Sequence, residues 1–295
     1  MNHDFLGYCV TTIGLAVTCL FHCTHVRGDD TIFQDIESTE VTESSGLAPS
    51  NREPGIFWTH NDSGGEAKLF AIDSKGKLTG SVVLDGAEAV DWEDMSSYVD
   101  GSDPRLMVGD FGDNGAKRES VSIYLFDEPN PYEHSRVSSL QRIDYRYPDG
   151  PHDCEALGVA PIRREILLVT KSILPVAACY SIRLPKRDEG PRFRQQPSRI
   201  GTLAIPLVAS MDIESGTGDI ILCNYFQCFR YLRASDDSSA QWMKQIPEMT
   251  NLPKLKQIEA ITFDTNGDVW VTSEGIPGKI AKVSMPLTQR AGSSD

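Results

Sequence analysis

Asp153-Cys154-Glu155-Ala156-Leu157 sets a carboxylate at the threshold of an apolar run, and the chain repeats this phrase. Trp92-Glu93-Asp94-Met95 and Ile258-Glu259-Ala260-Ile261 are close versions. Ser44-Ser45-Gly46-Leu47 carries a hydroxyl where the others carry an acid, and Val208-Ala209-Ser210-Met211-Asp212-Ile213 is a looser version. Shortly after each phrase comes a β-type run ending abruptly in polar groups: Phe57-Trp58-Thr59-His60-Asn61-Asp62, Leu106-Met107-Val108-Gly109-Asp110, Leu168-Val169-Thr170-Lys171, Leu222-Cys223-Asn224 and Val271-Thr272-Ser273-Glu274. Strand-like content recurring at roughly this length marks a repeat architecture. The expectation is an all-β, five-bladed β-propeller with one central site; a six-bladed ring is the alternative.

Working outward, the first repeat predicts strands at Gly46–Ala48, Ile56–Thr59, Leu69–Ile72 and Ser81–Leu84. Strand, turn, strand at this spacing signals antiparallel hairpins. The second repeat adds Leu106–Val108, Ser122–Phe126 and Ile143–Tyr147, with an insertion from Glu128 before its last strand. The third adds Ile166–Thr170, Cys179–Leu184 and Arg199–Leu203, and its basic stretch Lys186–Arg194 reads as solvated surface. The fourth adds Ile220–Cys223, Phe229–Leu232 and Trp242–Ile246. The fifth ends after Val269–Thr272 and Ile280–Val283, one strand short. The unpartnered strand Thr31–Ile36 supplies the missing one, stapling the termini and removing an open sheet edge.

The chain has 295 residues and a net charge of −14. That length suits one all-β domain, expected over residues 29–290 with a disordered tail at 291–295. An acidic surface disfavours nucleic acid and anionic membranes, because both need cationic groups to replace counterions. Phe5 to Phe21 is apolar and uncharged, then Arg27-Gly28-Asp29-Asp30 turns polar. This is the length of a signal-peptide h-region, with Val26 and Gly28 as the small cleavage residues. Residues 1–28 therefore read as a leader of an exported, monomeric protein with no stable membrane insertion after cleavage; an uncleaved N-terminal anchor is the alternative. Cys154, Cys179, Cys223 and Cys228 lie in apolar strand-like runs, and both disulfides and buried thiols stay open.

In a propeller the start of the innermost strand and the end of the second lie on the same face. That places Ser45, Glu93, Glu155, Ser210 and Glu259 around the channel mouth, with Asp212 as a second candidate in the fourth repeat. Asn61, Asp62, Asp110, Lys171, Asn224 and Glu274 form a wider ring, and Asp113 and Asn114 extend it. Converging carboxylates either take up protons or hold a cation. Oxygen ligands without His or Cys suit a hard ion, and Ca²⁺ accepts six to eight of them in loose geometry. Lys171 either neutralises the acids or holds an anionic group. His60 and His152 border the same face as the candidate bases near neutral pH.

In its order of serine and glutamate, Ser45, Glu93, Glu155, Ser210 and Glu259, the chain resembles the five-bladed calcium-activated nucleotidases (apyrases). That resemblance implies a central Ca²⁺ held by these side chains. The Asn61-Asp62-Ser63-Gly64, Gly109–Asn114 and His152–Leu157 phrases are similar to exported bacterial propellers grouped with phytase-like esterases. Two functions follow as expectations. One is a metal-dependent hydrolase of a phosphate or other ester, with Asp110 or Glu274 accepting a proton and Lys171 binding the anion. The other is a non-catalytic propeller with structural calcium that binds a glycan, a small anion or a protein.

Overall fold

Runs rich in Val, Ile, Leu and aromatic residues, broken by Gly and Asp turns, form short antiparallel ladders throughout the computed structural model, which describes residues 33–232 and 240–286. Blade one holds Ser44–Pro49, Ile56–Asn61, Lys68–Asp73 and Leu78–Leu84, paired in sequence order. Blade two holds Trp92–Asp100, Asp103–Asp110, Val121–Asp127 and Gln141–Tyr145. Blade three holds Cys154–Ala160, Glu165–Thr170, Ala177–Arg183 and Ser198–Leu203. Blade four holds Ser210–Ile213, Ile220–Cys223, Gln227–Tyr231 and Glu248–Asn251. Blade five holds Ile258–Phe263, Val269–Ser273 and Lys279–Val283, completed by Phe33–Asp35.

The first strand of each blade packs against the first strand of the next, and blade five's packs against blade one's, so the ring is closed. The protein is a five-bladed β-propeller. Apolar side chains fill every gap between adjacent blades. Trp58, Val82, Trp92 and Leu106 join blades one and two, and Leu125, Tyr145, Leu157 and Leu168 join two and three. Val169, Met211 and Leu222 join three and four, and Ile221, Ile261 and Val271 join four and five. Ile36, Leu47, Phe57, Ala260 and Ile280 seal the seam between blade five and blade one.

That seam is where the N-terminal strand closes the ring. Phe33, Gln34 and Asp35 pair antiparallel with Ala281, Ile280 and Lys279. Ile36 N–H still bonds blade five at Gly278 O (2.8 Å), and the chain then reaches blade one through Glu37 N–H to Gly76 O (2.9 Å). Thr31 and Ile32 of the expected strand, the expected leader 1–28 and the tail 291–295 lie outside the described residues.

Two expectations about strands need correction. Trp242–Ile246 is not the outer strand of blade four. Gln241–Lys244 forms a 3₁₀ turn that buries Trp242 edge-on against Tyr231, and the strand is Glu248–Asn251, whose alternate residues face solvent. The basic stretch Lys186–Arg194 is not merely a solvated loop either. Arg192–Gln195 adds a parallel fifth strand to blade two, with Arg192 Nε bonded to Asp144 at 2.6 Å. His134–Val137, from the blade-two insertion, adds a parallel fifth strand to blade one in the same way. Each insertion reaches back and covers the outer edge of the preceding sheet, which would otherwise present unpaired backbone groups.

Candidate functional site

At the mouth, the inner strands slip register. The ladder of blade one jumps from Ser44 to Gly46, leaving Ser45 unpaired, and those of blades three and five leave out Glu155 and Glu259 in the same way. In blade two it jumps from Trp92 to Met95, leaving out Glu93 and Asp94. A β-bulge bends its strand and re-aims the extra side chain. The acids are thus set on bulges around one axis. Blade four begins its ladder at Ser210 opposite Cys223 without a slip.

Glu93 is the hub. Asp62, Asp91 and Glu93 bring carboxylate oxygens within 4.8 Å of one another, and so do Glu93, Asp153 and Glu155. Glu93 is 5% exposed. Its hydrogen bond runs to Glu155, carboxyl to carboxyl. Asp62 Oδ1 is buried without a hydrogen-bond partner. Gly112 lies against this group: a Cβ there would stand 2.2 Å from Glu93 Oε1 and 2.7 Å from Asp91 Oδ2. Lys171 Nζ donates to Glu155 Oε1 at 2.9 Å and lies over the Tyr225 ring. Glu259 faces Glu274 and accepts from Gln257 Nε2 at 3.2 Å.

Burial governs the protonation of this cluster. It pushes Glu93 up to about 12, with Glu155 adding repulsion, so Glu93 keeps its proton in the metal-free protein. Burial also raises Glu155 to about 7 against the pull of Lys171. Glu259 rises to about 8 through burial and Glu274, and Asp62 to about 6 through burial and Asp91. Asp91 is raised by burial, with Arg118 opposing. For Lys171 burial disfavours the charge, but the Glu155 carboxylate outweighs it and holds the ammonium well above its usual range.

Several residues expected at the mouth have other work. The Ser210 hydroxyl is spent on Asp94 and on Ile261 N–H. Asp94 Oδ2 accepts from both Leu157 N–H (2.8 Å) and Met211 N–H (3.1 Å), which puts those two residues at one level. Asp212 is further along the same strand, accepting from Phe263 N–H (2.9 Å) and Thr262 Oγ1 (2.8 Å). Asn61 Oδ1 accepts from Thr42 and Glu43 N–H, and Asn224 Oδ1 from Phe226 and Gln227 N–H, so both amides shape turns. Asp113 likewise caps Lys117 and Arg118 N–H, and Asn114 is exposed on that turn. Asp110 is paired with Arg118 (2.9 Å) and accepts from Asp91 N–H (3.1 Å), which positions Asp91. Burial raises Asp110 while Arg118 restrains it.

His60 is a packing residue. Its Nδ1 sits 2.9 Å from Asn61 O, burial lowers its pKa to about 4, and its ring stands edge-on to Trp92. His152 Nε2 is held by Asp149 (3.0 Å) and Tyr180 Oη (2.8 Å). Cys154, Cys179, Cys223 and Cys228 are buried free thiols. Asp91 and Asp153 are functional candidates the phrase comparison passed over. Their signal is a repeated spacing, Asp91-Trp92-Glu93 and Asp153-Cys154-Glu155, in adjacent blades.

No protein-family model matches the chain, and no curated protein matches it at a significant level. Among solved structures, a luciferin-regenerating enzyme is similar with a TM-score of 0.42 and 12% identity, over 82% of this chain and 73% of its own. A gluconolactonase from Xanthomonas campestris is similar with a TM-score of 0.45 and 13% identity, over 86% of this chain and 90% of its own. The nucleotidase and phytase-like resemblances remain resemblances of short motifs.

Proposed function

We propose that this propeller is a metal-dependent hydrolase of an ester, with a divalent cation, Ca²⁺ by donor chemistry, among Asp62, Asp91, Glu93, Asp153 and Glu155. The observation that carries this reading is Glu93, a buried acid surrounded by other carboxyls and bonded to one of them. The donor set fits such an ion: it is all oxygen, Asp62 Oδ1 has no other partner, and Gly112 leaves room beside Glu93 and Asp91. Bound there, the cation would polarise an ester oxygen or activate a water.

The chain's own groups do the rest. Lys171 neutralises Glu155 and is thereby fixed at the rim of the cluster. Glu259, near 8 beside Glu274, takes or gives a proton close to neutral pH, which is where a general acid–base group works best. Asp110 positions Asp91 through its backbone N–H, with Arg118 as its counter-charge. Export, the leader at 1–28 and a single domain over 29–290 belong to the same proposal.

The test is a calorimetric titration of chelated protein with Ca²⁺, Mg²⁺ and Mn²⁺, followed by assay of carboxylic and phosphate esters with and without chelator. Stoichiometric Ca²⁺ binding with chelator-sensitive turnover is expected. An absence of divalent-ion binding would overturn the site. Binding without turnover would leave the non-catalytic propeller with structural calcium.

A further inference from the structure

The loops that carry the acidic cluster also carry exposed apolar side chains. Val90 precedes Asp91, Ile173, Leu174 and Val176 follow Lys171, Phe226 follows Tyr225, and Ile276 follows Glu274. Each of them is more than half exposed, from 52% at Val176 to 84% at Ile173. Scattered exposed apolar residues need no explanation. These are grouped on successive loops around one mouth, and apolar surface rimmed by polar groups marks a ligand site. Other exposed apolar residues, such as Val99, Ile162 and Ile246, stand on separate elements away from the cluster.

Charge narrows the occupant. Asp62, Asp91, Glu93, Asp153, Glu155, Glu259 and Glu274 are set around the mouth, and the basic groups near them, Lys171 and Arg118, are already bonded to Glu155 and Asp110. With a divalent cation added, the carboxyls still outnumber the positive charges they meet. Among the described residues, the two basic groups bonded into the cluster, Lys171 and Arg118, are already spent on carboxylates, and like charges repel a polyanion such as a nucleoside diphosphate strongly in a partly buried site. An uncharged polar head does not meet that repulsion.

We infer that the mouth takes an uncharged carboxylic ester with an apolar arm, its carbonyl over the acidic cluster and its arm along Leu174, Phe226 and Ile276. The inference deepens the ester-hydrolase reading and rests on it for the carbonyl's place, whereas the apolar arm rests on the rim alone. Recognition then grows with arm length, by about fourfold for each methylene fully buried.

Two series measured on the calcium-loaded protein separate these parts. Turnover of para-nitrophenyl esters from acetate to octanoate reads the reaction, and calorimetric binding of methyl ketones from butanone to decanone reads the rim without any reaction. Both are expected to strengthen with chain length. Phe226→Ser and Ile276→Ser should flatten the ketone slope, costing at least tenfold at the longest chain, while the calcium-induced rise in Tm stays as in the parent. Ketone binding that lengthens with the chain, without ester turnover, would keep the apolar recognition and remove the hydrolase. Ester turnover with no chain-length dependence in either series would overturn the inference and leave the hydrolase standing. Ketones that fail to bind, with the protein adsorbing to neutral phosphatidylcholine vesicles instead, would also overturn it and assign the rim to a lipid surface.

Discussion

Ser210 Oγ donates to Asp94 Oδ1 at 3.0 Å across the axis of the ring, joining blade four to blade two. Asp94 also accepts Met95 N–H at 2.9 Å and the backbone donors of Leu157 and Met211, so one carboxylate ties three blades together. Ser210 Oγ in turn accepts from Ile261 N–H at 3.1 Å, bringing in blade five. Burial holds the Asp94 pKa well above its ordinary value, and these donors pull it only part of the way back. An amide in its place would turn an N–H₂ toward backbone N–H groups. Asp94→Asn is therefore expected to cost about 2–5 kcal/mol, read by chemical denaturation. Ser210→Ala, which strands Ile261 N–H, should cost about 1–3 kcal/mol. Two variants as stable as the parent would show that the axis is not held this way.

Ile36 joins the closing strand to the core, at 1% exposure among Leu47, Phe57 and Ile280. Ile36→Ala should cost about 2–5 kcal/mol, as other large-to-small changes in a packed core do. Deleting residues 29–38 should destabilise further, because it also exposes the Lys279–Val283 edge. If the truncated chain melts with the full-length protein, the seam does not depend on that strand.

The repeat phrase made the ring legible because every blade must present an apolar inner strand, and Glu93, Glu155 and Glu259 stand out as acids before such strands. Blade four was legible only to within a residue. Ser210 stands at the start of its inner strand as the acids do, but its hydroxyl is spent on Asp94 and on Ile261 N–H. Trp242 read as strand because apolar content alone does not separate a buried 3₁₀ turn from an edge strand. The pairing of Asp110 with Arg118 and of Lys171 with Glu155 depends on where loops land, which no local pattern encodes.

Glu93 keeps its proton in the metal-free protein, so the neutral isostere Glu93→Gln should leave metal-free stability nearly unchanged. Calcium at a hundredfold excess over Kd should add about 2.7 kcal/mol to the parent, roughly 5–10 °C in Tm. Glu93→Gln should lose most of that gain, and so should Gly112→Ala, whose methyl group would displace Glu93 and Asp91. Thermal melts with and without calcium measure both. A full calcium gain in either variant would move the ion elsewhere.

Stability should fall as pH rises in the absence of metal. Asp62, Glu155 and Glu259 have folded pKa values near 6, 7 and 8, above their ordinary 3.8, 4.5 and 4.5. Their protonated forms are favoured in the folded state, so their contribution is complete below about pH 4 and is lost as pH rises through 8. Tm measured in chelator should decline from pH 5 to pH 8. Saturating calcium should remove the decline, since the ion then supplies the positive charge. A Tm that climbs over this range in chelator would contradict the assigned pKa directions.

Lys171 gives the sharpest test of how charge is shared between the chain and a cation. Its ammonium is 2.9 Å from Glu155, whose side chain is 5% exposed, so Lys171→Met leaves a buried carboxyl without its counter-charge. Glu155 should then rise above 7 and stay protonated to higher pH, because the group that lowers its pKa is gone. The cost of the substitution should accordingly be small at pH 5 and grow by up to about 1.4 kcal/mol toward pH 8, where the parent's Glu155 has ionised and the variant's has not. With calcium present the cost at pH 8 should shrink, because the cation takes over the role of the lysine. Melting curves of parent and variant at both pH values, with and without calcium, give the full cycle. A loss independent of pH and of calcium would mean that Lys171 contributes packing on Tyr225 rather than charge to Glu155.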